Sequence, residues 1–164
     1  MCIRDRPFSE LLLLQIRSAT PGRNHRFTTQ STYKLGSIVA VSDQRAVYRL
    51  PYENGNSFFI SQAAGGPIST HDGEDSRFAV DFTMPENTPV VAAREGLVIA
   101  SESSHRRGGT NPALMSLANF VSILHADQTV ATYAHLAPGG IRVRPGDRVL
   151  ALSLIHISEP TRPY

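Results

Sequence analysis

From Phe58 onward the chain is a succession of short β-forming stretches broken by turn residues, and that rhythm leaves few folds open. The stretches are Phe58 to Gln62, Arg77 to Phe82, Pro89 to Ala93, Gly96 to Ser101, Asn119 to His125, Thr129 to His135 and Arg148 to Leu150. Their alternation with turn-rich connectors predicts an antiparallel β domain. At 164 residues and 41% hydrophobic content, the chain holds one ordinary globular core or slightly more.

Two stretches form a hairpin, Phe120 to His125 and Thr129 to His135, joined by Ala126-Asp127-Gln128. Counting by twos from His135 puts Tyr133, Ala131 and Thr129 on its face, and Val130, Thr132 and Ala134 on the other. His135 then stands at a strand end, where a side chain can project into a cleft. The polar stretch from Glu102 to Pro112 reads as a loop that could flank such a cleft or as a solvated insertion. Upstream of Tyr52 the pattern is less regular. Phe27 to Tyr33 and Ser37 to Val41 read as strands of an incomplete module, broken by Pro21-Gly22 and Gly36. Ser9 to Ile16 fits a short helix or a buried strand equally well.

Both ends look foreign to the middle. The opening Met-Cys-Ile-Arg-Asp-Arg and the closing Leu152 to Arg162 resemble in-frame translations of the two orientations of a transposon adapter used in sequencing libraries. Residues 1–6 and 152–164 are therefore expected to stand outside the fold, with 7–51 a partial upstream β module or a linker and 52–151 the main domain. Cys2 and His156 leave the chemical inventory with them.

A net charge of +2 with scattered basic residues is too small to suggest a nucleic-acid surface, and no nucleic-acid partner is expected. The longest apolar run, Leu11 to Ile16, is far short of the roughly 20 residues of a membrane span. No signal peptide is recognisable at the N-terminus. Cys2 is the only cysteine, so any metal must be held by histidine and carboxylate.

Phe78 to Val98 resembles the core motif of the lysostaphin/LytM-type zinc metallopeptidases, which are bacterial cell-wall endopeptidases. In that motif a strand aspartate is followed four residues later by proline, then by a turn, Thr-Pro-Val and a small-residue strand ending in Gly-x-Val. Asp81, Pro85, Thr88, Pro89, Val90 and Gly96 fall in place. Asn119 to Leu136 and Ile141 to Val149 look like the family's Tyr-x-His-Leu strand and Val-x-x-Gly-Asp-x-Val turn. The resemblance covers roughly residues 52 to 150.

It implies a mainly β, antiparallel sheet or sandwich metallopeptidase core, incomplete here, behind a short irregular or β N-terminal segment. It also implies a Zn2+ cofactor, with His71 and Asp81 as metal ligands and His135 as the unligated catalytic histidine. Zinc with one open position lowers the pKa of a water toward 7, and an adjacent imidazole can orient or deprotonate that water or stabilise developing charge. Asp75 offers a tighter His-x-x-x-Asp spacing from His71, yet Asp81 is preferred because the turn from Pro85 to Val90 is anchored to it. His105 and His125 are read as loop and hairpin-end residues. The family's Pro-His-x-His strand, which carries a third ligand and a second catalytic histidine, has no counterpart, so the chain itself is expected to be inactive. The implied substrate is peptidoglycan cross-bridge or stem peptide, and the implied location is the periplasm or the outside of the cell. Two other classes compete: a non-catalytic LytM-like module that regulates a cell-wall hydrolase, and a biotinyl- or lipoyl-type carrier barrel, suggested by the turn from Val143 to Val149. The carrier lacks its lysine, because Lys34 lies far upstream.

Overall fold

The computed structural model describes residues 20, 22–23, 26–30, 35–37, 39–73, 76–106 and 117–157. They belong to two units, Met1–Leu35 and Gly36–Tyr164. In the first, the described residues include a turn in which the Arg23 amide donates to the Thr20 carbonyl at 3.5 Å. The second unit carries the strands: β1 (Phe59–Gln62), β2 (Asp81–Thr83), β3 (Pro89–Val91), β4 (Gly96–Glu102), β5 (Phe120–Leu124), β6 (Val130–Ala134), β7 (Arg148–Val149) and β8 (Leu154–Ile157). Every pairing is antiparallel, as the turn rhythm predicts: one four-stranded sheet in the order β6-β5-β4-β7, and the two-stranded sheets β1-β2 and β3-β8. Among the described residues no helix is long and apolar enough to cross a membrane.

The β5–β6 hairpin forms at the predicted connector. The His125 amide donates to the Thr129 carbonyl at 2.9 Å, and Gln128 takes a positive φ of 67°. The Asp127 carboxylate accepts from the Thr129 amide at 3.1 Å and its hydroxyl at 2.6 Å, an aspartate doing locally what a turn requires. Val98, Val121 and Ile123, all without solvent exposure, pack with Val90, Ala92, Leu136, Val149 and Ile155 into one apolar cluster. Fully burying one side chain of this size contributes about 1.5–3 kcal/mol.

Gly96 opens β4 with its backbone set close against β5. A Cβ there would stand 2.5 Å from the Leu124 carbonyl oxygen and 2.6 Å from a methyl of Ile123, so the Gly-x-Val pattern answers a steric demand. The Pro145-Gly146-Asp147 turn closes on the same strand. The Gly146 amide donates to the Val98 carbonyl at 2.8 Å and the Val98 amide to the Asp147 carbonyl at 2.9 Å.

A buried ion pair ties the segment before Tyr52 to this sheet. Arg94, 7% exposed, donates to Asp127 at 2.8 Å and to the Tyr48 hydroxyl at 3.2 Å, with its guanidinium 5.4 Å from the centre of the Tyr48 ring. Asp127 also accepts from the Asp43 amide at 3.1 Å. Hydrogen bonds from Thr129, Arg94 and the Asp43 amide hold the Asp127 carboxyl well below the usual carboxylate range, while those to Asp127 and Tyr48 raise the Arg94 guanidinium further. The Arg49 amide adds a bond to the Ala93 carbonyl at 2.7 Å.

Three stretches differ from expectation. None of the described residues between 26 and 41 is in a strand, and Phe27, Val39 and Val41 are 65%, 76% and 79% exposed. β-branched and aromatic residues make strands only where a sheet edge accepts them. Ser9 to Ile16 lies outside the described residues. β2 begins at Asp81, not Arg77, because β1 offers only four residues to pair with, and residues 76–79 form turns instead. The closing segment, expected to stand apart, supplies β8: Ile155 enters the apolar cluster and the strand pairs with β3. An isoleucine followed by alternate apolar positions suits an edge of this core, whatever its source.

Two measurements check this packing. Gly96→Ala should lower unfolding free energy by about 1–3 kcal/mol, the range for forcing an extra carbon into a packed site, as a reduced denaturant midpoint at unchanged slope. Asp127→Asn should lower the melting temperature clearly, whereas Arg45→Ala, which loses a pair that is 94% exposed on the arginine side and 3.6 Å long, should leave it unchanged. Because the folded-state pKa of Asp127 is depressed, its contribution is complete above the ordinary value of 3.8 and fades as the pH falls below it. The gap between the wild type and Asp127→Asn should therefore narrow below about pH 4.

Candidate functional site

A bulge in the β1–β2 pair sets the geometry of the site. Phe59 faces Thr83 and Ile60 faces Phe82, but the register slips so that Gln62 faces Asp81. Ser61, the extra residue, donates its hydroxyl to the Asp81 carbonyl at 3.3 Å. Behind the pair, the Tyr52 ring stands edge-on to Phe58 at 4.8 Å and to Phe82 at 5.7 Å, which fixes the strand carrying Asp81. The Gln62 side-chain oxygen accepts from both the amide and the hydroxyl of Thr70, at 2.8 and 3.0 Å. Ser69 accepts from the His71 amide at 3.3 Å. The loop is thereby folded back so that His71 Nε2 lies 3.4 Å from Asp81 Oδ2.

The two residues singled out as ligands therefore meet, although ten positions separate them. Asp75, the rival carboxylate, lies outside the described residues. The His71 side chain is 14% exposed and that of Asp81 41%, and His71 Nδ1 is buried without a hydrogen-bond partner. Two atoms each about 2.1 Å from a tetrahedral zinc stand about 3.4 Å apart, so the pair has the span of two such ligands. Among the described residues no group of three or more His, Cys, Asp or Glu side chains could hold a metal ion. His71 and Asp81 fit zinc at two of its protein positions, and among the described residues no third donor joins them.

His135 follows β6 directly, is exposed, and has a positive φ of 58°. That left-handed residue ends the strand: within β6 Ala131 and Tyr133 are half-buried and Thr132 and Ala134 exposed, as period two predicts, whereas His135 beyond them is exposed. Tyr133 accepts from the Ala93 amide at 2.7 Å, and burial raises its hydroxyl pKa. His135 is not a third donor to the His71–Asp81 corner.

Two of the other described histidines, His125 and His156, have structural settings. His125 is 1% exposed, bonds through Nδ1 to the Glu95 carbonyl at 2.8 Å and stands edge-on to Tyr48. His156, set aside on sequence grounds, is fully buried on β8 and donates from Nε2 to the Ala137 carbonyl at 2.9 Å. Burial lowers its pKa against the opposing pull of that hydrogen bond. Gln62, Thr70 and Asn119 carry the local geometry and were not singled out by sequence reasoning. A period-two pattern marks strands, not the bulge that turns Gln62 toward the loop.

The profile of peptidase family M23 matches residues 75–161, just over half of the chain, a span that includes Asp81 and His135 and begins after His71. A zinc-containing peptidase from Vibrio cholerae has a similar fold, at a TM-score of 0.50 and 24% identity, over 73% of this chain and 34% of that one. A candidate M23 peptidase from Pseudomonas aeruginosa is similar at a TM-score of 0.38 and 21% identity, over 70% of this chain and 42% of that one. The chain thus spans about a third to two fifths of the length of these solved structures. No curated protein matches it.

Protonating His156 would place a charge at a position without solvent exposure. Since its folded-state pKa lies below the ordinary 6.5, its contribution to stability is complete above that value and is lost as the pH falls through it. Melting temperatures from pH 8 to 5 should fall below about pH 6.5 in the wild type, and less steeply in His156→Phe. Equal slopes would contradict a neutral buried imidazole.

Proposed function

The chain belongs to peptidase family M23, and on that premise we propose that its site is of the zinc-dependent endopeptidase type, directed at cross-linking or stem peptides of bacterial peptidoglycan in the periplasm or outside the cell. The observation that carries this reading is the 3.4 Å approach of His71 Nε2 to Asp81 Oδ2. A neutral imidazole and a carboxylate are the donors zinc takes when thiolates are absent. His71 and Asp81 are the two protein ligands of this reading. When bound, zinc supplies Lewis acidity that makes a water nucleophilic near neutral pH. His135, exposed and one residue beyond β6, is the imidazole that accepts a proton from the attacking group or stabilises charge at the peptide carbonyl.

Two protein donors hold zinc far less firmly than three. This chain, taken alone, therefore binds the ion loosely and does not cleave its substrate. A non-catalytic regulatory module is the second reading, favoured by the incomplete donor set among the described residues.

Calorimetric titration of the metal-free chain with zinc, paired with a dye-release assay on purified peptidoglycan, tests both statements. The expected dissociation constant is weaker than about 1 µM, equivalent to about −8 kcal/mol. His71→Ala and Asp81→Ala should each weaken binding at least about tenfold, a loss of about 1.4 kcal/mol, and no dye should be released. Tight one-to-one binding with dye release would overturn the inactivity. Binding unchanged in both variants would remove the metal assignment, and retention on peptidoglycan by both variants without cleavage would support the regulatory module.

A further inference from the structure

His135 occupies a backbone region that side chains with a Cβ rarely adopt, and such a conformation persists only where surrounding contacts hold it. Those contacts converge on one side chain. Asn119 is 3% exposed at the start of the hairpin. Its Nδ2 donates to the carbonyls of Leu136 and His105, both at 2.9 Å, and its Oδ1 accepts from the His105 amide at 3.0 Å. The Asn119 carbonyl accepts from the Leu136 amide at 3.2 Å. Both amide protons are thus used, and the residue after His135 is held at its N–H and its C=O by one asparagine.

The segment beyond is pinned at two further points. His156 donates to the Ala137 carbonyl at 2.9 Å, and the Gly139 amide donates to the Ser103 carbonyl at 2.9 Å. Ser103 and His105 belong to the stretch that follows β4, so residues 103–105 are hydrogen-bonded to the segment that carries His135 both directly, at Gly139, and through Asn119.

We propose that Asn119 is a positioning residue whose buried amide holds the left-handed turn at His135 and locks it to the loop at His105. The functional importance of this hold rests on the catalytic role proposed for His135, but the hold itself does not. No aliphatic residue can replace it, because the backbone groups of His105 and Leu136 would lose their partners inside the fold. Asparagine supplies an acceptor and two donors at one point, which a carboxylate or a hydroxyl does not.

The test is nuclear magnetic resonance on the isotopically labelled, metal-free chain. In Asn119→Ala the Cα and Cβ shifts of His135 should leave the left-handed range. Exchange of the Leu136 amide should quicken at least about tenfold, as when a protecting hydrogen bond is lost, with Val121 and Ile123 unchanged. Adding His135→Gly to Asn119→Ala should restore Leu136 protection, because glycine adopts a positive φ without strain. If Asn119→Ala does not fold, Asn119→Ser is used, and recovery of folding by His135→Gly in either background supports the proposal. A folded Asn119 variant that keeps the His135 shifts and the Leu136 protection overturns it, as does failure of the glycine to restore Leu136 protection. No metal or catalysis enters these readings, so the zinc assignment can fail while the clamp stands, and the reverse.

Discussion

The close approach of β4 to β5 is the constraint from which the rest of the domain is built. Gly96 lacks the Cβ that would strike the Leu124 carbonyl, so Val98, Val121 and Ile123 can meet with no solvent exposure. β5 then carries the hairpin whose turn residue, Asp127, holds Arg94 and the chain before Tyr52. β4 carries the Pro145-Gly146-Asp147 turn through paired bonds to Val98. The second layer, β3 with β8, closes the same apolar cluster through Val90 and Ile155.

The candidate site is not part of that core. It lies at the two-stranded β1–β2 sheet, where Phe59 is 74% exposed, and at the loop that carries His71, and its precision comes from polar bonds: Gln62 to Thr70, Ser69 to His71, Ser61 to Asp81. Such a ladder is marginal by itself. The Tyr52, Phe58 and Phe82 rings supply the apolar contact that steadies it. His135, by contrast, is rooted in the main sheet through β6. The chemistry proposed for the chain therefore draws on two supports of unequal firmness, a hydrogen-bonded loop for the ligands and the packed core for the imidazole.

Much of this could be read from the residues alone. Turn residues around alternating apolar stretches marked seven of the eight strands, and the Asp127-containing connector marked the hairpin, because both signals are local. Motif resemblance singled out His71 and Asp81 as a pair, and their approach in the fold depends on a bulge that no local pattern announces. Phe27 and the valines at 39 and 41 misled, since β-propensity without a partner edge does not make a strand. The part played by Asn119 was hidden for a related reason. Its partners lie 14 and 17 positions away, and nothing in its neighbours signals that an amide will be needed there.

The central claim is that His71 and Asp81 form two corners of a divalent metal site and not merely an ion pair. Anomalous diffraction at the zinc edge, from crystals grown with zinc, tests it most directly. The account predicts one peak lying about 2.0–2.2 Å from both His71 Nε2 and Asp81 Oδ2, the ordinary zinc bond lengths. Zinc found only elsewhere on the chain, with the His71 and Asp81 side chains still facing each other, would contradict it.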